Sequence, residues 1–187
     1  RFADKYCLSA EQSLMIHAGN ASIPKQLVIR ATKANNYIMP LLHETSMFMA
    51  RTQLPNNADV VEKDGLRILT LPSALIHSSP IIFKNDATEA RIALSQIGDV
   101  SEVLGPLLDG GHSTVAGRLA GAFRNIDRAK DADTIVKTMR SLDYDVREND
   151  PFEGLTNTIL STREKSPYVN RMRLLWNEMR PVVMEAF

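Results

Sequence analysis

Cysteine is almost missing from this chain: Cys7 is the single one among 187 residues, and a lone thiol can neither close an internal disulfide nor build a thiolate zinc cluster. It reads as a small buried hydrophobe, in keeping with a reducing compartment. Long apolar runs are missing too. Nothing approaches the roughly 20 consecutive apolar residues of a bilayer-spanning helix, so no membrane partner is expected and the expected location is the cytoplasm. Net charge is zero, with 22 basic and 22 acidic side chains, so no long-range field draws the whole molecule to nucleic acid or anionic lipid. The sequence has no Gly-Lys-Ser/Thr Walker loop, no strand-led Gly-x-Gly-x-x-Gly, no Gly-x-Ser-x-Gly elbow and no His-Glu-x-x-His. His17, His43, His77 and His112 are scattered, not paired at ligand spacing. The expectation is a chain with no catalytic residues, no metal and no cofactor of its own.

What is present is enough to fold, since a chain of this length buries a core without staples. The pattern predicts an α+β protein: a small antiparallel sheet over about 26–70, a multi-helix block over about 71–142 and a C-terminal connecting helix. Ser9, followed by Glu11 and Gln12, caps a short helix that Gly19 stops. Gln26–Arg30, the stretch around Met47–Arg51, and Val60–Leu69 have the β-favouring composition of strands, and Lys63-Asp64-Gly65 is a hairpin signal. Thr70 and Pro72 open the helical block, where Asp86 to Glu89 and Asp99 to Glu102 repeat a capping-box spacing. Gly110 and Gly111 end one helix, Ser113 caps the next to about Ile126, and another spans about Ala129–Leu142. Tyr144–Arg147 reads as a short strand, and the turn-rich Glu148–Gly154 as a boundary. Residues 1–150 are thus expected to form one recognition or regulatory domain. Residues 151–187 are expected to be a linker and long helix, with apolar Tyr168, Met172, Leu175, Trp176, Met179 and Val183 on an interdomain face. The start at Arg1 and the stop at Phe187, directly after that helical pattern, suggest a piece of a longer polypeptide.

Two clusters could carry binding. Gly110, Gly111, His112 and Ser113 lead into a helix whose free N–H groups and positive dipole end suit a phosphate or carboxylate, with Arg118 one turn on. The commoner reason for such residues is capping, with Gly117 and Gly121 admitting a close helix neighbour. Arg124, Arg128 and Lys130 form a local basic cluster of the kind that contacts a nucleic-acid backbone. Asp127, Asp131 and Asp133 alternate with them, which favours a solvated face laced with salt bridges.

The stretches Cys7–Asn20, Glu62–Arg67, Leu108–Ile126, Tyr144–Arg147 and Ser166–Arg171, in that order, resemble the region that precedes the catalytic core in large bacterial Fic-family proteins (filamentation induced by cAMP). The glycine-histidine-serine block, Leu108–Ile126, is the most specific part. The sheet followed by Thr-Leu-Pro-Ser-Ala-Leu at residues 70–75 is also similar, more loosely, to AbiEi-type antitoxin domains. The first resemblance implies a non-catalytic regulatory or target-recognition domain whose partners are a C-terminal Fic core that transfers AMP and a protein target. The second implies a module that binds DNA or a toxin protein. The Fic core's His-Pro-Phe-x-x-Gly-Asn-Gly-Arg loop does not occur here. Nor does the family's inhibitory signature, Ser or Thr followed four residues later by Glu-Gly or Glu-Asn: Tyr144 precedes Glu148, and Asn149 precedes Glu153.

Overall fold

The computed structural model describes residues 5–152 and 166–185, with side chains described as far as residue 181. The chain is α+β and divides into two compact units, residues 1–78 and 79–187.

The first unit contains β1 (Cys7–Leu8), α1 (Ala10–His17), β2 (Gln26–Ala31), β3 (Tyr37–Pro40), β4 (Ser46–Arg51), β5 (Val60–Lys63), β6 (Leu66–Leu69) and α2 (Leu71–His77). Ser9 caps α1 as its sequence suggests, its Oγ accepting the Gln12 N–H at 3.3 Å. At the other end Gly19 takes φ +68°, and the Gly19 and Asn20 N–H groups donate to the Ile16 and Met15 carbonyls in a Schellman turn. Gln12 ties α1 to β2, donating from Nε2 to the Gln26 carbonyl at 2.8 Å and accepting the Val28 N–H on Oε1 at 3.0 Å.

Four strands lie in the order β1-β2-β4-β3. β1 pairs antiparallel with β2 and β3 with β4, the sense expected of the sheet, but neither β1 nor β3 is among the expected strands, and the two expected strands β2 and β4 run parallel. The chain reverses from β2 into β3 and again from β3 into β4, and β4 folds back between the two, so it must run in the direction of β2. The alternation of residue types could not reveal this, because insertion of one strand between two others is a long-range choice. β3 is an edge. Leu41 donates to the Thr45 carbonyl across the hairpin at 2.9 Å, so by two-residue alternation Pro40 faces outward, where its missing N–H breaks no ladder bond. β5 and β6 form the hairpin read from Lys63-Asp64-Gly65, with φ +52° at Asp64 and +75° at Gly65, both positive as a type I′ turn requires. Leu8, Ile29 and Ile68 form a core that Tyr6, Ile16, Leu27 and Met47 partly cover.

The second unit is helical: α3 (Ile82–Asn85), α4 (Ala87–Gln96), α5 (Ser101–Asp109), α6 (Ser113–Asn125), α7 (Ala129–Ser141) and α8 (Pro167–Glu185). α6 packs on α7 and α4 on α8. Glu102 reaches back to the Asp99 N–H at 2.9 Å while Asp99 accepts the Ser101 N–H at 2.8 Å, the reciprocal cap its spacing suggests. Two expectations are corrected here. Ser113 is the first residue of α6 and His112 occupies the cap position, because the preceding helix needs Gly111 at φ +60° and His112 N–H on the Leu107 carbonyl to finish its own Schellman turn. Tyr144–Arg147 forms no strand. It is part of an extended strap, residues 144–152, laid on α6, where it pairs with no strand edge.

That strap also explains the two glycines inside α6. A Cβ on Gly117 would lie 2.0 Å from the Arg147 carbonyl oxygen, and one on Gly121 would lie 2.1 Å from the Asn149 carbonyl oxygen. Asn149 N–H donates to the Gly117 carbonyl at 3.2 Å. The neighbour that the glycines admit is this extended backbone, not a helix.

Candidate functional site

Four of the five residues considered for anion binding, Gly110, Gly111, His112 and Ser113, form the turn between α5 and α6. Their N–H groups donate in turn to the carbonyls of Pro106, Leu108, Leu107 and Gly111, at 3.0–3.2 Å, so the hydrogens point at the chain itself. The His112 ring lies against Gly110, where a Cβ would be 2.2 Å from its Nε2. Arg118, the fifth, does not join them in that role. It is buried, with its guanidinium carbon 5.3 Å from the centre of the Phe83 ring, and burial lowers its pKa from the usual arginine value.

The basic cluster is engaged by acids. Arg124 binds Glu148 in a fork, Nε to Oε1 at 2.5 Å and Nη2 to Oε2 at 2.9 Å, and Nη2 also reaches Asp133 Oδ1 at 2.8 Å. The hydrogen-bonded guanidinium holds the Glu148 and Asp133 carboxyls below their ordinary pKa values. Arg128 pairs with Asp131 at 2.5 Å and caps the end of α4, donating to the Leu94 and Ile97 carbonyls at 3.1 and 2.6 Å. Lys130 is exposed.

Long-range folding adds a network that no local pattern announces. Arg91 Nε donates to Asn125 Oδ1 at 3.0 Å, and Asn125 Nδ2 donates to Asp150 Oδ2 at 2.9 Å. The Arg91 guanidinium also sits 4.3 Å over the Phe152 ring, which meets Phe83 edge-on at 5.5 Å. Partners 25 and 34 residues apart leave no periodic trace in a sequence. The network fastens the strap to α4 and α6, and its groups hold one another, so it is a clasp and not a reactive constellation. Among the described residues no group of three or more His, Cys, Asp or Glu is placed to hold a metal ion, and no helix is long and apolar enough to cross a membrane.

α8 offers an open apolar surface. Asn170 and Leu174 are buried, Asn170 Nδ2 donating to Ser95 Oγ at 3.0 Å, while Arg171 pairs with Glu89 at 3.0 Å. The broader apolar stripe faces away: Tyr168, Met172, Leu175, Trp176 and Met179 are 38–64 % exposed. Val183 belongs to the same helix, but its side chain lies outside the described residues. A helix that seats itself through asparagine and arginine and displays tyrosine, tryptophan and methionine reverses the usual amphipathic arrangement, as a surface awaiting a partner does.

In the first unit, Leu8, Met15, Ile16, Ile23, Leu27 and Leu66 line a cavity of about 380 Å³ beside α1. The Gln12 amide at its wall is already bonded to β2. Nearby, the His17 Nε2–H donates to the Leu69 carbonyl at 2.8 Å, and burial lowers the His17 pKa. Cys7 is buried, which raises its thiol pKa and keeps it unreactive.

Comparison with family models, curated proteins and solved structures finds no match for this chain.

Proposed function

We propose that this chain is a non-catalytic regulatory or target-recognition domain of a larger Fic-type protein that transfers AMP. The observation that carries this reading is the outward apolar stripe of α8, the element whose start at Ser166–Arg171 bears part of the Fic-region resemblance. A chain whose candidate binding arginines, Arg118, Arg124 and Arg128, are engaged in its own folding and whose C-terminal helix shows an open apolar face is built to hold another body. The ordered resemblance supplies the identity of that body, an AMP-transferring core.

The test has two stages. The reading frame around this segment is expected to encode a His-Pro-Phe-x-x-Gly-Asn-Gly-Arg loop downstream, and a frame without one refutes the proposal. AMP transfer by the longer polypeptide is then measured with and without residues 1–187. Deletion is expected to alter target choice or the rate of self-modification. An unchanged target set and rate overturn the regulatory role. The rival antitoxin-like reading predicts a salt-dependent gel shift of operator DNA, or capture of a toxin protein, by this chain alone. The pairing of Arg124 and Arg128 with Glu148, Asp133 and Asp131 weighs against its DNA form.

A further inference from the structure

The hairpin of β5 and β6 closes against the end of α1, and the closure leaves space. The cavity of about 380 Å³ beside α1 is walled by Leu8, Met15, Ile16 and Leu27. Its polar wall groups are engaged: the Gln12 amide on β2, and the Asn20 side chain with the Ser22 N–H and the Met15 sulfur. A polar group entering this interior would lose its water and find no partner, so an occupant has to be apolar there. At the mouth Ile23 is 83 % exposed and Leu66 37 %. An aliphatic chain seated in the cavity would cover both.

The mouth adjoins a second depression, of about 270 Å³, which shares Ile16, Asn20, Ala21 and Leu66 with the first and adds Lys63 to the wall. Lys63 and Leu66 are register partners across the hairpin, so their side chains stand on one face of it. The Lys63 Nζ donates to the Ile16 carbonyl at 3.2 Å, which holds the half-buried ammonium at the border of the two spaces and leaves it further hydrogens to donate. Among the described residues no carboxylate forms an ion pair with it, not even that of Asp64 on the same wall. The carbonyl end of α1, which would repel an acid, is closed by that lysine and by the Gly19 and Asn20 N–H groups.

We propose that this cavity binds an aliphatic monocarboxylic acid of medium length, its chain among Leu8, Ile16 and Leu27 and its carboxylate on Lys63 at the mouth. The interior has nothing to meet a second charge, which excludes a dicarboxylate, and the ammonium disfavours an amine. The site lies within the first unit and does not depend on the AMP-transfer reading.

Calorimetry of the whole chain at pH 7 with hexanoate, octanoate, 1-octanol and octylammonium tests it. Octanoate should bind roughly tenfold tighter than hexanoate, as burial of two more methylenes requires. It should bind roughly fivefold tighter than octanol, with octylammonium weakest. Lys63→Met should erase the advantage of octanoate over octanol and leave octanol binding in place. Leu66→Glu puts a carboxylate at the partly exposed lip beside Lys63, and should weaken octanoate by roughly tenfold with the circular dichroism unchanged. Equal binding of octanoate and octanol by the parent, an affinity independent of chain length, or no heat with any of the four would each overturn the proposal. So would an octanoate advantage that survives Lys63→Met, or full octanoate binding by Leu66→Glu, as adsorption on another apolar surface would give.

Discussion

Replacing Gly121 with alanine sets two effects of opposite sign against each other. Gly121 lies inside α6, where alanine is favoured over glycine by about 1 kcal/mol, so helix propensity alone predicts a more stable protein. The structure predicts a loss. The added Cβ would stand 2.1 Å from the Asn149 carbonyl oxygen, 2.4 Å from its carbon and 2.8 Å from the Asp150 nitrogen, all backbone atoms that no side-chain rotation can move aside. The strap has to withdraw by about 1 Å to restore ordinary contact, a displacement of the kind that costs about 1–3 kcal/mol in a packed interior. Withdrawal also loosens the Asn125–Asp150 bond and the Arg124–Glu148 fork, which together contribute about 1–2 kcal/mol. Set against the propensity gain, the net loss is about 2 kcal/mol. In a unit of this size that lowers the melting temperature by roughly 10 °C. Urea and thermal unfolding followed by circular dichroism measure it. Gly117→Ala, whose Cβ would meet the Arg147 carbonyl at 2.0 Å, should behave alike, and Gly98→Ala, which meets only Glu102 Oε1 at an ordinary 3.5 Å, should be nearly neutral. Stabilisation by Gly121→Ala would refute the close-contact reasoning.

Ser13→Ala in α1 removes the buried hydroxyl that accepts the Leu69 N–H at 3.0 Å, and leaving that donor unpaired should cost about 1–3 kcal/mol in a urea titration. Glu148→Gln should cost no more than about 1 kcal/mol at pH 7, because Arg124 is 42 % exposed and solvent screens the pair, and molar salt should erase most of the difference. The Glu148 carboxyl has a folded-state pKa below its unfolded value, so its contribution is present above the unfolded pKa and disappears as pH falls through the folded one. The parent and Glu148→Gln should converge in stability once the pH has fallen below the lowered folded-state pKa. His17 is shifted in the other sense for a base: burial lowers its folded pKa below the unfolded 6.5, so the unfolded chain binds the extra proton and stability declines as pH drops through 6.5 toward the folded value. His17→Gln should flatten that part of the urea midpoint profile between pH 7.5 and 5.5, and a slope as steep as the parent's would exclude His17 as its source.

Much of the local structure was legible in the residues because its causes are local. Ser9 with Gln12, Asp99 with Glu102, and Asp64-Gly65 act within four positions of themselves, and each appears where its chemistry requires. β1 escaped notice because two residues carry no readable period, and β3 because Pro40 disguises an edge strand. The α8 stripe was visible as a pattern, but whether it faced inward or outward was not. Apolar spacing defines a face and says nothing of what lies against it, and here a neighbour with Ser95 and Glu89 to offer bound the polar side.

The amino-acid order by itself determined the α+β class, most helix limits and the lack of a reactive motif, since each rests on interactions within a few residues. Tertiary structure alone decided that β4 lies between β2 and β3, that Gly117 and Gly121 make room for the strap, and that Arg118, Arg124 and Arg128 meet a ring, carboxylates and carbonyls of their own chain. Those outcomes depend on contacts between distant positions, where the free energy of burial and of satisfied charge, not spacing along the chain, selects the partner.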